Sequence, residues 1–262
     1  MANLLGAGRV ADAFYVAFRI PNMVRELFAE GAMSAGFIPV FAQYLTKKSK
    51  AEAAELARAA FTGLVLIVGV VIVIGMLCAP QIVQWVAPGF SDDPNQQRLA
   101  TTLTRIMFPF LFFISLAALA MGILNSLGRF GPSAFSSSAF NVVSVLVLLF
   151  ASGADPVFIA AIGVTLGGAA QCGVQLPFLW REGFSFSFRR PVWPVHPGVV
   201  QMGRLILPTL LGLSVVQVNL FVNTFLASTL PDGSVSFLYY GMRLIHLPLG
   251  LFAVAISTAL LP

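Results

Sequence analysis

Charge is what this sequence has least of. Asp, Glu, Lys and Arg together make up 10% of its 262 residues, where a soluble domain carries about 25%. Hydrophobic residues make up 58% and the mean hydropathy is +0.90, so a soluble fold would lack polar groups to cover its exterior. That balance also excludes a disordered chain. Cysteine is nearly missing: Cys78 and Cys172 both sit inside apolar runs, which indicates neither a disulfide framework nor a metal site. HExxH, P-loop, dinucleotide fingerprint and catalytic triad are absent, as are paired acid–base groups. Catalysis therefore has no candidate constellation, and the chain is not expected to be an enzyme. The net charge of +5 comes from a few basic clusters beside apolar runs, a pattern of membrane topology rather than of nucleic-acid binding.

What the sequence has instead is hydrocarbon. A bilayer span needs roughly 20 mostly apolar residues. Residues 59–91, 106–128, 130–154, 156–180 and 205–231 run without any Asp, Glu, Lys or Arg. Two more segments, 13–44 and 235–262, are long enough but carry charges. Strand-type alternation is absent, and the expectation is an all-α polytopic membrane protein of about seven transmembrane helices. These are placed at about 13–44, 59–87, 103–128, 132–154, 156–180, 205–230 and 235–262, with a cytoplasmic or interfacial linker over 181–204. Turns are marked by Pro88-Gly89, Asp92-Asp93-Pro94, Gly131-Pro132, Gly153 with Asp155-Pro156, and Pro231-Asp232-Gly233.

Alternate connections differ in charge. One side holds Lys47, Lys48, Lys50, Arg58, Arg129, Arg181, Arg189, Arg190 and Arg204; the other holds Asp92, Asp93, Asp155 and Asp232, with Arg98 and Arg105 as its bases. The basic side is expected to face the cytoplasm. The first visible helix then runs from outside to inside, and residues 1–12 lie on the outer side. These residues contain no signal-peptide apolar core; either the N-terminus is outside, or an earlier helix is missing. A faint repeat at an offset of 223 residues sets Phe14, Ala32, Ser34 and Pro39 against Phe237, Ala255, Ser257 and Pro262, as paired transporter halves would.

The charges inside apolar segments are the candidate functional groups. The first segment carries Arg19, Arg25, Glu26 and Glu30 with Asn22; the last carries Arg243 and His246. An Arg at a helix centre costs roughly 2.5–3.5 kcal/mol on insertion scales, so these groups should face a bundle interior or a wet cavity. Arg19 is near enough to the segment start to snorkel to the outer interface instead. Glu26 and Glu30 serve either a ligand or the arginines as structural partners, and His246 either packing or proton relay. Arginine binds phosphate or carboxylate through paired hydrogen bonds and stays charged, so converging arginines point to an anionic substrate. Gly163-x-x-x-Gly167 with Gly168 reads as a helix-packing face. Gln217, Asn219 and Asn223 read as interhelical glue in preference to ion ligands, and Ser136-Ser137-Ser138 with Asn141 as packing contacts. Residues 184–195, with Phe184, Phe186, Phe188, Arg189, Arg190 and Trp193, suit a membrane interface.

The run Asp12-Ala13-Phe14-x-Val16-Ala17-Phe18-Arg19-x-Pro21-Asn22, continuing through Arg25-x-x-Phe28-Ala29-Glu30-Gly31-Ala32-x-Ser34 to Pro39, closely resembles the MurJ (MviN) lipid II flippase family. So do Ala87-Pro88-Gly89-Phe90, Phe108-Pro109, Asn125 with Arg129-Phe130, Gln175-Leu176-Pro177, and Gly233-Ser234-Val235-Ser236 with Tyr239-Tyr240 and Arg243. The family belongs to the multidrug/oligosaccharidyl-lipid/polysaccharide exporter superfamily, whose members have two six-helix lobes. The resemblance implies that this chain holds helices two to eight of fourteen: residues 1–12 as an outer-side remnant after a missing first helix, 13–180 as first-lobe helices, and 205–262 as the start of the second lobe.

It further implies movement of the lipid-linked peptidoglycan precursor, undecaprenyl-diphosphate-linked disaccharide-peptide, from the inner to the outer leaflet of the bacterial cytoplasmic membrane by alternating access. The family's functional basic positions fall on Arg25 and Arg243 and its acidic one on Asp12, with Asn22 and Glu30 at nearby motif positions and Arg19 in the same run. Membrane lipids and cell wall synthesis proteins are the implied surroundings, and no cofactor is expected beyond coupling to the membrane potential or a monovalent cation. The chain departs from the family where it has Glu26 in place of a second base, and Met242 and His246 in place of acids, which bears on charge pairing and ion coupling. The rival readings are export of another lipid-linked sugar or a drug, and a non-transporting membrane scaffold.

Overall fold

The structure is a computed structural model. It describes residues 6–31, 33–150, 155–188 and 196–248, with the side chains of residues 28–30 and 247 outside that description. Ala32, Gly153, Arg189, Arg190, Trp193, Ala255, Ser257 and Pro262 fall outside it too, as does the last expected segment beyond residue 248.

The described residues are helical throughout their regular structure. In chain order they form α1 (Arg9–Arg25), α2 (Ile38–Lys47), α3 (Lys50–Leu77), α4 (Ala79–Val86), α5 (Pro94–Met107), α6 (Phe110–Ser126), α7 (Phe130–Phe150), α8 (Pro156–Arg181), α9 (Pro197–Ser228) and α10 (Ser234–Pro248). Five stretches are long and apolar enough to cross a membrane: α3, the continuous path Pro94–Ser126 through α5 and α6, α7, α8 and α9.

Local chemistry explains where the helices depart from the expected boundaries. The 13–44 segment is not one regular helix. It starts earlier, at Arg9, and between α1 and α2 it passes through two wide-turned π-helical stretches, Glu26–Gly31 and Met33–Phe37. Pro39 withholds an N–H from the carbonyl four residues before it, and a wider turn is one way for a helix to pass such a gap. The 59–87 segment begins at Lys50 because Ser49 and Glu52 form a reciprocal capping box, and it breaks at Cys78, just before Pro80.

The 103–128 segment likewise begins at Pro94. There Asp93 caps the helix, its Oδ1 accepting from the Asn95 and Gln96 N–H groups at 2.9 and 3.4 Å. Pro109 interrupts the ladder between α5 and α6, and short-range bonds from Leu111 N–H to the Phe108 carbonyl and from Phe112 N–H to the Pro109 carbonyl carry the chain across. α9 begins at Pro197, with His196 Nδ1 accepting from Gly198 N–H at 3.2 Å, so the linker is shorter than 181–204.

Two apolar cores stack along the bundle. One joins α1 to α5, α6 and α8 through Phe14, Val16, Leu103, Met107 and Leu111; the other joins the wide-turned stretches, α2, α3 and α6 through Phe37, Phe41, Leu56, Leu119 and Leu124. The outward faces are equally apolar. Leu66, Val70, Val73 and Leu77 on α3, Val145 and Leu149 on α7, and Leu207, Leu211, Val215 and Val218 on α9 are all exposed. Such faces are stable only against hydrocarbon or further helices.

The two ends of the bundle differ in charge. Arg129 bonds Glu182 at 2.8 Å at one end, near where Lys50 lies over Phe184. Arg9 pairs with Asp232 at 2.7 Å and Asp93 at 3.1 Å at the other.

The Gly163/Gly167 face of α8 meets α7 directly. Ser144 Oγ donates to the Gly163 carbonyl at 3.0 Å. A Cβ at Gly167 would lie 2.3 Å from Ser144 Oγ and 2.9 Å from the Phe140 carbonyl oxygen. Gly173, farther along α8, has nothing within 4 Å of the same position. Gly167→Ala is therefore expected to destabilise the α7–α8 pair by about 1–3 kcal/mol, the usual cost of overpacking, and Gly173→Ala to cost little. The melting temperatures of the two purified variants in detergent check this; equal temperatures would contradict the packing.

Candidate functional site

Polar residues of the C-terminal half of α1, of the wide-turned stretch that follows it and of α10 converge. On α1 and its continuation, Arg19, Asn22 and Glu26 recur at helical spacing on one face, with Arg25 beside them; on α10, Tyr239, Met242, Arg243 and His246 recur the same way. Together with Leu220 of α9 they line one cavity of about 250 Å³. The structure thus brings Arg19, Asn22, Arg25 and Arg243 to a shared hollow. Arg19 lies well inside α1, about 15 Å along the axis from its start at the helical rise, and lines the cavity.

The guanidinium groups are held by specific partners. Arg25 Nε donates to Asn22 Oδ1 at 2.9 Å, and Asn22 Nδ2 donates to Glu26 Oε1 at 2.9 Å. Arg25 Nη2 is 3.8 Å from the same Glu26 oxygen. The other carboxylate oxygen of Glu26 accepts from Gln217 Nε2 of α9 at 2.7 Å, which fits the reading of Gln217 as interhelical glue. Arg243 donates from Nε and Nη2 to the Tyr239 hydroxyl at 3.2 and 2.9 Å, and lies 5.3 Å from that ring's centroid. Tyr239 in turn stacks on Tyr15 of α1, centroids 4.2 Å apart, so aromatic packing between the helices positions Arg243.

An apolar cleft of about 400 Å³ adjoins this cavity. Phe14, Tyr15 and Phe18 of α1 form one wall, and Phe140, Val145, Leu148 and Leu149 of α7 another. Phe18, Tyr239 and Arg243 line both spaces. A cationic hollow open beside a hydrocarbon-lined cleft accommodates an amphiphile with an anionic head.

Asp12 lies elsewhere. It is 3% exposed, and its carboxylate accepts from the Gly233 N–H at 2.6 Å, the Ser236 N–H at 2.8 Å and the Ser236 hydroxyl at 2.5 Å. It therefore anchors the start of α10 to α1, a negative charge at a helix N-terminus. Gly233, at φ 92°, turns its N–H toward the carboxylate in a conformation that suits glycine. Arg9, paired with Asp232 and Asp93, and the Tyr240 hydroxyl, which donates to the Gly6 carbonyl at 3.0 Å, reinforce the same end. Glu30 lies in the wide-turned stretch Glu26–Gly31, with its side chain outside the described residues. Among the described residues no group of three His, Cys, Asp or Glu side chains stands close enough to hold a metal ion.

Sequence reasoning read Gln217 as interhelical glue without naming Glu26 as its partner, gave Tyr239 only as part of the family motif, and left Arg9 without a place in this geometry. Tyr239 precedes Arg243 by one turn, a spacing visible in the sequence. The partners of Gln217 and Arg9 lie far away in the chain, and nothing local identifies them.

A family model described as "Lipid II flippase MurJ" matches residues 1–262. Over the whole chain the sequence is 41% identical to the probable lipid II flippase MurJ of Vibrio cholerae, covering 51% of that protein. It is likewise 38% identical to the lipid II flippase MurJ of Burkholderia cenocepacia, covering 52%. The chain spans about half the length of the curated relatives it matches. A solved structure, lipid II flippase MurJ in an inward closed conformation, superposes with a TM-score of 0.80 at 26% identity, over 98% of this chain and 52% of that one.

Asp12→Ala leaves the buried N–H groups of Gly233 and Ser236 without their acceptor, at a cost of about 1–3 kcal/mol per unsatisfied group. Asp93→Ala removes one partner of an exposed ion pair together with a helix cap, about 1 kcal/mol each. The expected result is a clearly larger fall in melting temperature for Asp12→Ala. Equal falls would show that the anchor contributes no more than the surface pair.

Proposed function

The chain belongs to the MurJ lipid II flippase family, and on that premise we propose that it forms the cationic translocation cavity of a flippase for the lipid-linked peptidoglycan precursor in a bacterial cytoplasmic membrane. The observation that carries this reading is the meeting of Arg19, Arg25 and Arg243 in one cavity beside an apolar cleft. A diphosphate-linked headgroup requires several fixed positive charges out of bulk water, and guanidinium groups offer paired donors that match phosphate oxygens. The polyprenyl tail remains in hydrocarbon, with the cleft along α1 and α7 as its nearest apolar surface.

In this reading the five apolar spans are joined by two charged passes, one through α1 and α2 and one beginning with α10, giving seven crossings. α1 to α8 belong to a first lobe, and α9 and α10 begin a second. The end bearing Lys47, Lys48, Arg129 and Arg181 faces the cytoplasm. Asp12 holds α1 and α10 together at the outer end, so exposing the cavity outward requires those three hydrogen bonds to break. Net transport follows only if the headgroup binds the inward and outward states with different affinities or if an external gradient acts on it. An inside-negative potential favours outward movement of an anion by about 2.3 kcal/mol per charge per 100 mV.

Complementation tests the proposal. In cells depleted of their own lipid II flippase, the complete reading frame containing this chain is expected to restore growth. Arg25→Ala or Arg243→Ala is expected to abolish rescue at unchanged membrane levels. Full rescue by both variants would defeat the assigned roles, and vesicles in which lipid II fails to compete for flipping would defeat the substrate.

A further inference from the structure

Glu26 is a carboxylate placed among arginines in a cavity assigned above to an anionic ligand. It lines that cavity with Arg19, Arg25 and Arg243. Its two oxygens are fixed from opposite sides: Oε1 by Asn22 Nδ2 at 2.9 Å, and Oε2 by Gln217 Nε2 at 2.7 Å. Asn22 simultaneously accepts from Arg25 Nε at 2.9 Å, so carboxylate, amide and guanidinium form one network. The Glu26 side chain is only 30% exposed, and charge interactions in so enclosed a place are stronger than in water. Glu26 also interacts electrostatically with Arg19.

We infer that Glu26 is an internal counterion that sets how tightly the cavity holds its anionic ligand, keeping binding weak enough for release. The inference rests on the functional reading above. In the empty cavity the carboxylate compensates part of the guanidinium charge, which lowers the cost of keeping arginines inside an apolar bundle. An entering diphosphate meets that negative charge and competes with it for Arg25. Like charge placed against a ligand opposes binding, so Glu26 reduces the affinity the arginines alone would give. A carrier gains from this, because a site that binds too strongly traps its cargo. The bond to Gln217 ties the counterion to α9, so the residue that opposes the ligand also joins the wide-turned stretch after α1 to that helix.

The test measures affinity and turnover together. Glu26→Gln removes the charge and keeps groups able to bond Asn22 and Gln217. The protein, encoded by the complete reading frame, is placed in phosphatidylcholine nanodiscs and titrated with lipid II, with inorganic pyrophosphate and with phosphatidylglycerol; flipping is measured in vesicles. Glu26→Gln is expected to bind lipid II and pyrophosphate roughly tenfold more tightly, equivalent to about 1.4 kcal/mol, while flipping slows. Glu26→Met, of similar length, carries the same expectation and serves if the first variant does not fold. Gln217→Met removes the hydrogen-bond partner and leaves the carboxylate, and should not tighten binding.

Unchanged or weaker binding in both Glu26 variants overturns the inference, as does equal tightening by Gln217→Met, which would make the α9 contact and not the charge responsible. Failure of the lipid II reading looks different: the wild-type protein would hold lipid II no better than phosphatidylglycerol, while Glu26→Gln would still tighten pyrophosphate binding.

Discussion

Ionic groups in a bundle whose outer faces are hydrocarbon must be collected where they can solvate one another, and that constraint organises this molecule. α1 and α10 cannot turn Arg19, Arg25 or Arg243 toward lipid without a cost of several kcal/mol. They turn them toward a shared cavity, and two of the guanidinium groups acquire partners there: Asn22 and Glu26 for Arg25, Tyr239 for Arg243. The apolar faces of α3, α7 and α9 are the complement of this arrangement, since they carry no charge that has to be hidden.

The same constraint separates two kinds of buried charge. Asp12 is fully committed, with three hydrogen bonds to the start of α10, and nothing about it faces the cavity. Arg25 and Arg243 are held by one or two side chains and still line an open space with Arg19. A residue whose acceptor capacity is used in the fold supplies position; one that borders a hollow keeps a face open to it. α1 and α10 are thus tied at Asp12 and face each other across the arginines farther along.

Much of this was legible from local sequence. The glycine pair at Gly163 and Gly167 announced a close helix contact, and it lies against Ser144 and Phe140. The polar side of the first segment announced an inward-facing face, because its spacing is helical. The helix starts at Lys50, Pro94 and Pro197 were less visible, because caps at Ser49, Asp93 and His196 extend helices into polar sequence that hydropathy assigns to loops. The wide-turned stretches after Arg25 were not legible, since a widened turn depends on where neighbouring helices draw the backbone. Asp12 pointed to the site by family pattern alone; its hydrogen-bond partners lie more than two hundred positions away, and no property of its neighbours in sequence reveals them.

An anionic amphiphile imposes two demands that usually conflict: positive charge in a polar setting for the head, and continuous hydrocarbon for the tail. Here the conflict is resolved by side chains that belong to both spaces. Phe18, Tyr239 and Arg243 line the charged cavity and the apolar cleft alike, and Tyr239 combines an aromatic face, stacked on Tyr15, with a hydroxyl that accepts from Arg243. The two environments therefore share these three residues as a common wall. In the proposed reading, a head that moves along the arginines need not draw its tail out of apolar surroundings, which avoids the large penalty for dragging either part through the wrong medium. Binding strength is then left to a balance of charges, and Glu26, set among the arginines and tied to α9, is where that balance is adjusted.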